Sequence, residues 1–150
     1  FSLDPQSPNI IAPGKRPAHT LNAFTAVHPD GSLYLVGGTP GANIQVQSNL
    51  QLLVNVIDLK MNVQEATEAP RWQHLNAAGQ SSEEEKGAGV LEIENRVSAE
   101  VFEQLRAKGH EVNALSAWGH GSSVQMMEVL ANGTFAFGSD PRCEGHASGI

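Results

Sequence analysis

Short apolar runs separated by turn formers begin the patterned part of the chain. Residues 24–27 and 33–36 read as strands, and His28-Pro29-Asp30-Gly31-Ser32 between them carries a Pro-Asp-Gly core that favours a tight turn, so the pair predicts a hairpin. From 44 to 59 the pattern changes. Ile44, Val46, Leu50, Leu52, Leu53, Val54, Val56, Ile57 and Leu59 cover more than one helical face, which predicts a central helix packed on several sides. A short helix fits 62–68, with Asn62 as its N-cap and Pro70 ending it, and a loop is expected next. Residues 90–93 alternate like a strand. Residues 98–108 form an amphipathic pattern (Val101, Phe102, Leu105), with Ser98 at the N-cap and Gly109 at the stop. After a run at 112–115 and a loop at Gly119-His120-Gly121, strands at 123–130 and 134–137 flank Asn132-Gly133. That dipeptide is a strong hairpin signal, so the two strands should be antiparallel neighbours.

Both ends read as loop. Pro5, Pro8, Pro13 and Pro17 make 1–22 an ordered or extended lead-in, because each fixes φ and lacks an N–H. The tail at 139–146 is rich in turn formers.

Composition narrows the class. With 40% hydrophobic residues, a 150-residue chain can supply a core. A net charge of −7 argues against a surface that tracks phosphates, and 5% aromatics leave few stacking platforms, so nucleic acid is not an expected partner. Cys143 is the lone cysteine, so neither an internal disulfide nor a cysteine-based zinc cluster can form within the chain. No apolar run approaches the roughly 18 to 20 residues of a membrane span. Phe1-Ser2-Leu3-Asp4-Pro5 lacks a charged n-region and an initiator methionine, so no signal peptide is expected in this segment and the chain is expected to begin in mid-protein. Cytoplasm and periplasm both fit.

Most chemical motifs are missing. The histidines at 19, 28, 74, 110, 120 and 146 form no tight ligand pair, so no metal is expected. Gly119-His120-Gly121-Ser122-Ser123 puts glycine where a nucleophile elbow needs serine. Gly14-Lys15-Arg16 and Gly87-Ala88-Gly89 fail the phosphate-loop patterns, and no cofactor is called for. Ser81-Ser82-Glu83-Glu84-Glu85-Lys86 reads as a solvated excursion. What remains is Gly37-Gly38-Thr39-Pro40-Gly41-Ala42-Asn43. Its small residues run from strand to helix, where backbone can approach a ligand and the first N–H groups of the helix point outward. This is a candidate anion or oxyanion site; the alternative is a tight connection and nothing more.

At these residues the chain resembles the γ-glutamyltranspeptidase family. Five elements carry the likeness in order: Ala12-Pro13-Gly14-Lys15-Arg16-Pro17; Gly38-Thr39-Pro40-Gly41; Asn55-Val56-Ile57-Asp58 followed by Met61-Asn62-Val63-Gln64-Glu65-Ala66; Ala69-Pro70-Arg71; and Ser139-Asp140-Pro141-Arg142. The His19-Thr20-Leu21 form is more similar to the branch of cephalosporin-acylase-like proteins and oxamate amidohydrolase.

The resemblance implies an α+β fold, part of the αββα sandwich of N-terminal-nucleophile hydrolases, with mainly antiparallel strands and flanking helices. The whole of 1–150 would be one segment, the later part of a small subunit made by self-cleavage. Such enzymes attack an amide with an N-terminal threonine whose own amine is the base. Thr20, Thr25, Thr39, Thr67 and Thr134 are all internal, so no nucleophile is assigned in this chain. The family's paired oxyanion donors fall on Gly41 and Ala42, and its substrate-carboxylate residues on His19 and Thr20. Arg16 and Arg71 could pair an anionic substrate or form structural salt bridges, while Asp140 and Arg142 are expected to fasten loops.

The partners so implied are the large subunit, the remaining small-subunit portion, and a small acyl-amide or γ-glutamyl substrate. A catalytically silent structural or binding fragment of the same fold is the alternative, and a free-standing acidic binding domain a third.

Overall fold

The computed structural model describes residues 2–16, 22–75 and 89–149. Strands β1 (Asn22–Val27) and β2 (Leu33–Thr39) form the expected hairpin, paired antiparallel with Phe24 opposite Gly37 and Ala23 opposite Gly38. A Cβ on Gly37 would sit 2.7 Å from the Phe24 ring, so glycine is what lets that ring lie across the sheet. The Asn-Gly pair also makes its hairpin. Gly133 takes φ 81°, the Asn132 carboxamide oxygen accepts from Thr134 N–H at 3.0 Å, and β6 (Gln125–Val129) runs antiparallel to β7 (Phe135–Ser139). The two hairpins join through β2 and β6 into one sheet of order β1-β2-β6-β7.

Two helices pack on this sheet. A 3₁₀ turn (Ala42–Ile44) leads into α1 (Gln45–Ile57), and α2 (Val63–Glu68) follows. Asn62 caps α2 in a full capping box: its side chain accepts from Gln64 and Glu65 N–H, while the Glu65 carboxylate accepts from Asn62 N–H. Leu35, Leu52, Val56, Val63, Ala66, Val124 and Met126 form the core between helices and sheet. Against the expectation of packing on several sides, α1 is covered on one. Val46, Leu50, Val54 and Ile57, spaced three or four apart, form an exposed stripe with Val46 64% accessible.

Where the sequence predicts a loop, residues 72–75 form a strand, β3 (Trp72–Leu75), which runs antiparallel to β4 (Val90–Glu94) in a second, three-stranded sheet. From β4 the chain passes through α3 (Ala99–Ala107) to β5 (Glu111–Leu115), which pairs parallel to β4 as in a β-α-β crossover. Ile93, Phe102 and Val112 make a smaller core here. Ser98 has the extended backbone of an N-cap, but its side chain makes no capping bond. The class is thus α+β with mainly antiparallel strands and one parallel pair. Among the described residues no helix is long and apolar enough to cross a membrane. The acidic run at 81–86 lies outside the described residues.

Candidate active site

The turn between β2 and α1 is the focus. Gly41 has φ 131° and Ala42 φ 46°, both in the left-handed region, where alanine costs about 1–2 kcal/mol. Among the described residues neither N–H donates to an intramolecular acceptor, whereas Gly41 C=O accepts from Ile44 N–H at 3.0 Å. The two free N–H groups therefore stand at the head of the 3₁₀ turn and the 13-residue α1, whose first turns contain no acidic side chain. Such donors suit a developing oxyanion. A Cβ on Gly41 would fall 2.7 Å from Ile44 Cγ1, so glycine is required there by space as well as by φ. Beside the turn an open groove of about 560 Å³ is walled by Asn22, Thr39, Pro40, Ser123, Gln125 and the tail at 143–146.

Behind the turn lies a buried ionic cluster joining both sheets. Arg71, directly after α2 and Pro70, donates from Nη1 to Asp140 Oδ2 (2.5 Å) and from Nη2 to Thr67 C=O (2.7 Å). Arg142 grips Glu94 with two parallel bonds, Nε to Oε1 at 2.6 Å and Nη2 to Oε2 at 2.5 Å, and holds Asp140 Oδ1 at 2.9 Å. Arg96 adds a third guanidinium, 2.8 Å from Glu94 Oε2 and stacked 3.7 Å from the centre of the Trp118 ring. Three cations thus meet two carboxylates. Burial alone would raise the Glu94 carboxyl, but hydrogen bonds from Arg142, Arg71 N–H and Arg96 bring it down to about 2. Burial also pulls Arg71 downward, and neighbouring Arg142 adds to this, while Asp140 opposes both.

Next to the cluster, His120 is 4% accessible. Burial and the charge of Arg71 lower its pKa to about 4, so at neutral pH the ring is uncharged. Its Nδ1 accepts from Ser122 N–H (3.1 Å) and lies 2.7 Å from Ser122 Oγ, which is 3.0 Å from Ser48 Oγ. Nε2 closes no well-formed hydrogen bond, although the Trp72 backbone is near enough to favour the charged form slightly. The Ser122–His120 distance would suit a nucleophile and base. Yet Ser122 is 1% accessible and its hydroxyl also receives Arg71 Nη1 at 3.1 Å, so the pair is a buried hydrogen-bond chain.

Of the residues singled out from sequence, Gly41 and Ala42 share one turn, and Arg71, Asp140 and Arg142 share the ionic cluster. Arg71 therefore serves a structural salt bridge, and Asp140 and Arg142 fasten the tail to α2 and β4. Arg16 is exposed and makes no ion pair among the described residues. His19 and Thr20 lie outside the described residues. His120 and Ser122 appear in the sequence only as part of a motif that fails as a metal pair or nucleophile elbow, and no motif there singles out Glu94, Arg96 or Ser48. The one available signal was Glu94, a charge ending a strand pattern whose other members include Val90, Leu91 and Ile93.

The sequence profile described as gamma-glutamyltranspeptidase matches residues 1–150. The chain is 35% identical over 153 residues to the oxamate amidohydrolase proenzyme of Klebsiella pneumoniae, covering 99% of this chain and 27% of that protein. It is also 35% identical over 152 residues to the glutathione hydrolase proenzyme of Escherichia coli, covering 95% of this chain and 24% of that one. Among solved structures, cephalosporin acylase from Bacillus halodurans superposes with a TM-score of 0.72 at 28% identity, covering 97% of this chain and 26% of that one. The chain thus spans about a quarter of the length of these relatives. With the profile matched from end to end and two relatives at 35% identity, this chain belongs to the gamma-glutamyltranspeptidase family.

Proposed function

We propose that the chain is the later part of the small subunit of an amide hydrolase or acyltransferase and supplies its oxyanion donors, the N–H groups of Gly41 and Ala42. The observation that carries this reading is the pair of free N–H groups in a left-handed turn at the head of α1. In the reaction, a threonine outside this segment attacks the amide carbonyl while its α-amine takes the hydroxyl proton. The carbonyl oxygen gains charge as the tetrahedral intermediate forms, and the two N–H groups stabilise it. Collapse expels the amine, which takes up the proton, and leaves an acyl ester. Water or a second amine then resolves the ester, giving hydrolysis or transfer. The groove beside Thr39 and Pro40 offers room for the acyl group, with His19 and Thr20 as hydrogen-bond donors to a carboxylate on it. The partners in this reading are the large subunit and the rest of the small one.

The test is turnover by the whole protein of γ-glutamyl-p-nitroanilide, a glutaryl amide and oxamate. Gly41→Ala, which must push the turn off Ile44, should lower kcat about 10²- to 10³-fold, the cost of one lost oxyanion donor. Unchanged kcat in that variant would overturn the assignment. The second reading, a catalytically silent fragment, draws on the Ala42 methyl, which narrows the space beside its N–H; a fully assembled protein that turns over none of the three amides would establish it.

A further inference from the structure

A turn held at positive φ by a non-glycine residue persists only where its surroundings over-determine it. At Gly41–Ala42 those surroundings are largely one loop. On one side Thr39 Oγ1 donates to Pro40 C=O at 2.8 Å and accepts from Ser123 N–H at 3.0 Å. On the other, Ile44 packs against the Cα positions of both Gly41 and Gly121, and Ser48 Oγ lies 3.0 Å from both Ile44 C=O and Ser122 Oγ. The loop is in turn fixed from within. His120 Nδ1 receives both Ser122 N–H and the Ser122 hydroxyl, which leaves the Ser122 oxygen to accept from Arg71 and Ser48. All three members of the chain are buried, His120 at 4%, Ser122 at 1% and Ser48 at 0% accessible, so water cannot replace a lost bond.

We propose that His120, Ser122 and Ser48 are positioning residues that hold the Gly41–Ala42 turn in its left-handed form and so aim its two N–H groups. The catalytic half of this inference rests on the oxyanion reading above; the positioning half does not. The chain carries the register of the ionic cluster to the turn: Arg71 anchors Ser122, Ser122 anchors Ser48, and Ser48 sits one helical turn beyond Ile44, whose N–H closes on Gly41 C=O. His120 is needed as an acceptor. Asparagine can present an oxygen to the same two Ser122 donors, while alanine presents nothing.

Two readouts in the whole protein test this, using His120→Ala, His120→Asn and Ser122→Ala. Hydrogen–deuterium exchange over peptides spanning 39–48 reports the turn, because Ile44 N–H is protected only while it bonds Gly41 C=O. Exchange there should be about tenfold faster in His120→Ala and Ser122→Ala, with His120→Asn restoring most of the protection. Amide turnover should show kcat lowered about tenfold with KM within about twofold, again largely restored by asparagine. Ser48→Ala, in a helix where alanine is well tolerated, gives the same comparison should the loop variants fail to fold. Exchange within twofold of wild type in these variants overturns the proposal. If exchange accelerates while Gly41→Ala keeps full kcat, the positioning stands and the oxyanion reading falls.

Discussion

Glu94→Gln interrogates the buried cluster with the least change of shape. The carboxylate takes five donors on two oxygens: Arg142 Nε at 2.6 Å and His120 N–H at 3.2 Å on Oε1, and Arg142 Nη2 at 2.5 Å, Arg96 Nη2 at 2.8 Å and Arg71 N–H at 3.1 Å on Oε2. A glutamine offers one oxygen and one NH₂. Turned either way, it sets its own N–H groups against two or three of these donors, leaves Arg71 and Arg142 with Asp140 as their remaining carboxylate, and leaves Arg96 with none. Breaking a buried pair in this manner costs about 3–5 kcal/mol. The wild-type carboxyl also leaves a mark on pH dependence. Its pKa is about 2 in the fold against an ordinary 4.5, so its contribution is complete above pH 4.5 and is lost as the pH falls toward 2. At about 1.4 kcal/mol per unit, that amounts to about 3 kcal/mol. Denaturant unfolding of the whole protein from pH 7 downward should show the variant about 3–5 kcal/mol less stable at neutrality, with the gap narrowing as acid protonates the wild type. A difference under about 1 kcal/mol at pH 7, or one that stays constant into acid, would refute the reasoning.

Two further substitutions probe the geometry around the turn and the sheet. Ala42→Gly removes a left-handed alanine, a gain of about 1–2 kcal/mol partly offset by about 0.4–1 kcal/mol of added unfolded-state entropy, so thermal unfolding should show a small stabilisation; a clear loss would mean that the methyl is packed and useful. Gly138→Ala would drive a methyl into the Val63 carbonyl, its carbon 2.7 Å away, and to within 3.0 Å of Thr67 Cγ2, prying α2 off β7. Overpacking of this sort should destabilise by about 1–3 kcal/mol in denaturant titration, and a neutral result would show that α2 can slide on the sheet.

What could be read from sequence was what local chemistry encodes. Asn132-Gly133, the Asn62 cap, and the glycine turn before α1 each carry their signal within a few residues, and each forms as expected, with Glu65 completing the cap into a box. The strand at 72–75 is only four residues long and finds its partner beyond the acidic run, so nothing near it announces pairing. Likewise the ionic cluster gathers residues 71, 94, 96, 140 and 142. The sequence offers Arg71 either an anionic substrate or a salt bridge, and Asp140 and Arg142 loop fastening, but their common meeting point depends on how the two sheets come together. His120 was hidden differently: a lone histidine in a glycine-rich loop looks the same whether it faces solvent or a buried serine.

The outer face of α1 has a practical consequence for handling the protein. Val46, Leu50, Val54 and Ile57 recur on the spacing of a helix seam. Taken by itself, this chain meets water along about three turns of apolar ridge, and its net negative charge is the main defence against self-association. Charged replacements at Leu50, Val54 and Ile57, the part of that ridge farther from the Gly41–Ala42 turn, are therefore the natural first step in preparing the chain by itself for solution work.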